Sequence, residues 1–118
     1  MKNSRFLKRM QFALTGIGSA LRTEKSFRTQ MAAAIGVAIV LLLLHPSALW
    51  CAVLIGVSAL VLVTELLNTA IEHLADHLHP DLHPQIKIVK DCAAGAVLLA
   101  SLFALLIAAV FAYDYFRR

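Results

Sequence analysis

The stretch Glu65-Leu66-Leu67-Asn68-Thr69-Ala70-Ile71-Glu72-His73-Leu74-Ala75-Asp76 holds three acids and an amide in a strongly apolar setting. Wound as an α-helix at ~100° per residue, it brings Glu72 and Asp76 within about 20° of Glu65, with Asn68 about 60° to one side. One helix face therefore carries all of these groups. Glu65 and Glu72 are about 10.5 Å apart along the axis, too far to chelate one ion together when magnesium oxygens lie at ~2.0–2.1 Å. Two tasks are implied. Glu65, deeper in the apolar run, suits a general base acting on a hydroxyl, and Glu72 suits a divalent metal bridging phosphates. A lone polar residue in such a helix is more simply read as an interhelical hydrogen bonder. Three acids and an Asn on one stripe favour function instead, because each acid at a bilayer centre costs roughly 2.5–3.5 kcal/mol.

The elements that must hold this stripe are membrane helices. No Asp, Glu, Lys or Arg occurs between Thr29 and Thr64, and a second uncharged run extends from Cys92 to Tyr113. Both are long enough to cross a bilayer. The spacing predicts transmembrane helices over about 27–45, 48–76 and 90–113, with Pro46 and Ser47 in a tight outer turn. From Phe6 to Leu21 the residues Phe6, Met10, Leu14, Ile17 and Leu21 recur at helical steps, while Arg5, Lys8, Arg9, Thr15 and Arg22 fall mostly elsewhere. An interfacial amphipathic helix is expected over about 5–22; the alternative, a soluble helix on a core, has little other soluble chain to pack on. At ~1.5 Å per residue, Glu65 lies about 25 Å from Ala48, near the inner edge of a ~30 Å hydrocarbon layer.

The 118 residues leave room for one domain, read as 1–118, and 60% apolar against 15% charged argues against an ordinary soluble protein. The formal charge of +4 is not a nucleic-acid signal, since Lys2, Arg5, Lys8, Arg9, Arg22, Lys25 and Arg28 all precede the first apolar run. With Lys87 and Lys90 between the last two spans, the positive-inside rule assigns the N-terminus and that loop to the cytoplasm. Arg117 and Arg118 oppose this, but the early cluster is larger and leads the chain. The charged leader before Met31 exceeds a signal-peptide n-region, so the first apolar segment is expected to stay attached. Cys51 and Cys92 begin oppositely directed helices and are read as free thiols at opposite faces. Ala93, Ala94, Gly95 and Ala96 permit close helix contact, and Tyr113, Tyr115 and Phe116 form an interface anchor.

Glu24 is the only acid before the first span and is a candidate metal ligand, or else a solvated charge among Lys25 and Arg28. Lys90, beside Asp91, is read as neutralising phosphate charge or as a snorkelling anchor. His73, His77, His79 and His83 with Asp76 and Asp81 raise a zinc reading through the His73/His77 spacing, against a plain interfacial loop rich in His and Pro. No Gly-x-x-x-x-Gly-Lys loop occurs, nor the His-Arg-Asp or Asp-Phe-Gly signatures. A phosphoryl transferase built here would belong to neither of those types.

Glu65-x-x-Asn68-Thr69-Ala70-Ile71-Glu72-x-x-x-Asp76, followed by Lys90-Asp91 and preceded by Glu24-x-x-Phe27-Arg28, resembles the prokaryotic diacylglycerol kinase family over nearly the whole chain. The resemblance implies an all-α membrane protein, a homotrimer of three-helix subunits with surface helices and active sites shared between chains. It implies transfer of the ATP γ-phosphoryl group to a membrane lipid alcohol at the cytoplasmic face of a bacterial inner membrane. Diacylglycerol, yielding phosphatidic acid, is the first expected substrate, and undecaprenol the second. Under the resemblance Glu65 is the proton acceptor with Asn68 beside it, and Glu24 and Glu72 hold Mg2+. Arg5, Phe12, Glu24, Glu72, Asp81, Leu82, His83, Lys90 and Asp91 correspond to nucleotide positions, and Ser26, Phe27, Arg28, Thr29, Gln30 and Glu65 to the lipid site. Phe12 stands where Tyr is common in the family, Asp81-Leu82 where Glu-Tyr is, and Gln30 where Glu is. The rival class is a non-catalytic channel or metal transporter using the same stripe. Such a pathway needs polar groups along the whole span, and the first span and the outer halves of the others have almost none.

Overall fold

The computed structural model describes residues 2–81 and 83–117, and among them it contains four α-helices and no strand. In chain order they are α1 (Lys2–Thr23), α2 (Lys25–Leu44), α3 (Ala48–Leu78) and α4 (Pro84–Phe116). Helices α2, α3 and α4 are each long and apolar enough to cross a membrane. At most 17% of each apolar stretch is buried within the single chain, so Leu42, Leu43, Leu49, Leu98 and Leu105 stay exposed for lipid or another chain to cover.

The helix ends follow local chemistry. Helix α2 stops where His45 takes a left-handed conformation (φ 48°) and donates its N–H to Leu41 O. Pro46 follows, and the Ser47 hydroxyl then caps α3 by accepting from the Trp50 N–H. Helix α4 starts at Pro84 rather than near Lys90. Pro84 sits where an N–H is not needed, His83 Nδ1 accepts from the Gln85 N–H at 3.1 Å, and nothing from Gln85 onward breaks the helix.

Helices α3 and α4 form the principal pair, with α2 packed on α3. The end containing His45 is tied together by aromatic and polar contacts. Leu41, Leu54 and Phe111 form its apolar centre, with Trp50 set edge-on to Phe111 at 5.3 Å. Trp50 Nε1 donates to Asp114 at 3.0 Å, Arg117 donates to the same carboxylate at 3.3 Å, and the Tyr115 hydroxyl donates to Leu44 O at 3.3 Å. Three helices are thus joined at one end. Trp50→Phe deletes the donor and shrinks the indole to a single ring against Phe111, so it is expected to lower stability by at least about 1 kcal/mol in a detergent unfolding titration. An unchanged midpoint would show that neither the bond nor the packing contributes. Cys51 and Cys92 are free thiols.

Candidate functional site

At the other end, Glu65 is 5% exposed and is the buried charged side chain of the described residues. It sits on α3 because the helix runs unbroken from an apolar first half into its polar stripe, so one continuous face carries Val61, Glu65, Asn68 and Glu72. The Gln30 side chain from α2 is its hydrogen-bonding neighbour, and the charges of Glu72 and Glu24 act on it. A cavity of about 260 Å³ lies beside it, lined by Lys25, Ser26, Thr29, Gln30 and Glu65. Three of the positions assigned to a lipid site therefore meet the carboxylate. Phe27 and Arg28 do not line that cavity. Phe27 is 1% exposed within the packing, and the Arg28 guanidinium donates to Leu21 O (3.1 Å) and Arg22 O (2.9 Å), closing the end of α1.

One turn along α3, Asn68 donates its amide to Glu72 Oε1 at 3.3 Å. Its own Oδ1 is buried and has no hydrogen-bond partner. Glu24 occupies the N-cap position of α2 in extended backbone (φ −108°, ψ 108°), but its side chain does not cap the helix. Instead Oε1 lies 3.2 Å from His73 Nε2, linking the α1–α2 junction to α3 across 49 residues. This contact was not foreseen in the spacing, where His73 figures only in the zinc reading. Lys25 was likewise missed, though its one-turn spacing from Thr29 puts both on one helix face.

Lys90 makes an ion pair with Asp76, fixing the start of α4 against the end of the acidic stripe. Lys87 pairs with Asp91 at 2.6 Å on the same helix. His83 is the α4 cap and its ring lies 5.1 Å from that of His79, while Asp81 is exposed. Leu82 lies outside the described residues. Arg5 and Phe12 are exposed on α1 (Phe12 70%), and the part of α1 that faces α3 begins only at Ala13. The single chain thus gathers Glu24, Gln30, Glu65, Asn68 and Glu72, and leaves Arg5 and Phe12 apart from them.

Among the described residues no group of three or more His, Cys, Asp or Glu converges on a point that could hold a metal ion. The zinc reading of His73, His77, His79 and His83 with Asp76 and Asp81 has no assembled ligand set there. Magnesium asks for less, since it is commonly held by one or two carboxylates and completed by water and substrate phosphates. Glu24, Glu72 and the unpartnered Asn68 oxygen are hard oxygen donors of the kind it takes, so the donor chemistry fits.

Comparison with known proteins supplies a family. The chain is 40% identical over 98 residues to a diacylglycerol kinase of Synechocystis sp. (strain ATCC 27184 / PCC 6803 / Kazusa), covering 82% of this chain. That stretch spans 56% of the Synechocystis protein, little more than half its length. It is 39% identical over 95 residues to an undecaprenol kinase of Bacillus subtilis (strain 168), covering 80% of this chain and 76% of that protein. The sequence model described as prokaryotic diacylglycerol kinase matches residues 11–112, a stretch that includes α2, α3, the carboxylates and nearly all of α4. On that extent of agreement, the chain belongs to the prokaryotic diacylglycerol kinase family.

Proposed function

We propose that this protein is an ATP-dependent lipid kinase of a bacterial inner membrane, with diacylglycerol as its substrate and phosphatidic acid as its product. The observation that carries the reading is the buried Glu65 carboxylate beside the polar N-terminal turns of α2. A carboxylate in that position accepts the proton of a lipid hydroxyl as the hydroxyl oxygen bonds to the γ-phosphorus of ATP. The bond from that phosphorus to the bridging oxygen breaks, and ADP leaves with the electron pair. Asn68 holds Glu72 in place, and Glu24 and Glu72 would hold Mg2+ with the nucleotide. When bound, the metal spreads the charge of the transferring phosphoryl group. Positioning and charge neutralisation supply most of the rate.

Helix α1 is read as an amphipathic helix lying on the cytoplasmic surface, with the N-terminus and the α3–α4 connection on that side. A homotrimer with shared active sites accounts for two observations: apolar faces left uncovered in one chain, and nucleotide positions Arg5 and Phe12 away from the carboxylates. In that assembly Asp81, Leu82, His83, Lys90 and Asp91 complete the nucleotide side, and Ser26, Thr29 and Gln30 the lipid side. Undecaprenol is the second substrate reading, favoured by the name of the Bacillus subtilis relative.

Purified protein in mixed micelles, given γ-labelled ATP, Mg2+ and either alcohol, tests the proposal. Label is expected in phosphatidic acid, at higher kcat/KM than in undecaprenyl phosphate. Label in neither lipid overturns it.

A further inference from the structure

A second cavity of about 260 Å³ continues from the site into the spanning region between α2, α3 and α4. It begins at Gln30, which also lines the cavity at Glu65, and its walls include Ala34, Val61, Ser101 and Ala104. Ser58 and Ser101 are among the residues that line it. The Ser58 hydroxyl donates to Leu54 O at 2.8 Å, the usual intrahelical outlet for a serine in an apolar helix. The Ser101 hydroxyl oxygen is buried and has no partner. Among the described residues one other side-chain atom shares that state, Asn68 Oδ1 in the carboxylate cluster.

Depth relates Ser101 to the chemistry. Helices α3 and α4 run antiparallel and are pinned where Asp76 meets Lys90. Counted from that pair, Ser101 on α4 lies level with Glu65 on α3; counted from Trp50 against Phe111 and Asp114 it lies about one turn deeper, beside Val61, so Ser101 stands within about one turn of the carboxylate's depth. A hydroxyl buried without a partner is costly, and the cost is removed when a ligand supplies an acceptor.

Resting on the lipid-kinase reading, we propose that Ser101 is a specificity-determining residue that hydrogen-bonds an ester carbonyl of the lipid alcohol, selecting acylglycerols over polyprenols. The acceptor has to lie a few bonds from the reacting hydroxyl and in an otherwise apolar groove. A diacylglycerol meets both conditions through its ester groups. A polyprenol has only hydrocarbon beyond its hydroxyl, and a dialkylglycerol has the same shape as the ester without a carbonyl. The groove that opens at Gln30 then takes the start of an acyl chain, with Ser101 reading its linkage.

The test measures kcat/KM for a diacylglycerol, the matched dialkylglycerol and undecaprenol in mixed micelles, for the wild-type protein, Ser101→Ala and Ser101→Thr. The wild type is expected to prefer ester over ether about tenfold, equivalent to about 1.4 kcal/mol. Ser101→Ala is expected to bring that ratio to about one, and Ser101→Thr, which keeps the hydroxyl, to restore most of it. An overpacked or loosened groove lowers ester and ether rates together and leaves the ratio alone. An ester preference absent from the wild type, surviving in Ser101→Ala, or lost equally in Ser101→Thr overturns the proposal. Wild-type protein that phosphorylates none of the three alcohols overturns the kinase reading itself, and this proposal with it.

Discussion

Glu65→Gln is expected to reduce lipid phosphorylation by about 10²–10⁴-fold, the range that a general base contributes, while the protein stays folded and binds Mg-ATP. The amide has the carboxylate's shape and can still hydrogen-bond Gln30, but it cannot take up a proton. Folding is not at risk, because the substitution removes a charge from a 5% exposed position that also feels Glu72 and Glu24. Three readouts separate the cases. Label transfer to lipid should collapse, the unfolding midpoint in detergent should hold or rise, and nucleotide affinity should be unchanged. Raising Mg2+ should not restore turnover, since the missing function is proton acceptance. A Glu65→Gln protein with wild-type turnover would take Glu65 out of the chemistry.

Glu72→Gln should fail differently. Its acceptor oxygen for Asn68 is retained, so the local packing survives, but the anionic ligand is lost. The Mg2+ concentration for half-maximal rate is expected to rise at least about tenfold, with much of the rate recovered at saturating metal. Manganese binding followed by electron paramagnetic resonance, with a non-hydrolysable nucleotide, reads the same loss without turnover. The contrast between the two variants carries the assignment. If both raise the metal requirement, or neither does, the division of labour between the deep and shallow carboxylates is wrong.

The placing of Glu65, Asn68 and Glu72 along one helix was visible in the chain because charges inside an apolar run are conspicuous and the helical repeat fixes which of them share a face. Membrane spans are legible for a related reason: a bilayer imposes length and composition together. The missed features depend on how one helix is rotated against another. The family resemblance assigns Ser26 to Gln30 to a lipid site as one segment, but only the packed helix turns Ser26, Thr29 and Gln30 toward Glu65, sends Phe27 into the packing and Arg28 back to α1. The contact between His73 and Glu24 joins residues far apart in the chain, so no local pattern announces it. Ser101 is hidden for the opposite reason. Serines in apolar helices usually bond to the preceding turn, as Ser58 does, and nothing nearby in the chain marks one that does not. The early start of α4 turns on a cap, where a single imidazole in front of Pro84 decides several residues of helix.

The clasp formed by Trp50, Asp114, Tyr115 and Leu44 is answered at the opposite end by two ties of another kind, Asp76 with Lys90 and Glu24 with His73. Those are exposed pairs that water and salt weaken, whereas the tryptophan bond is part-buried among aromatic rings. Of the two fastenings, the one beside the acidic stripe is therefore the first to give way, and added salt loosens it selectively.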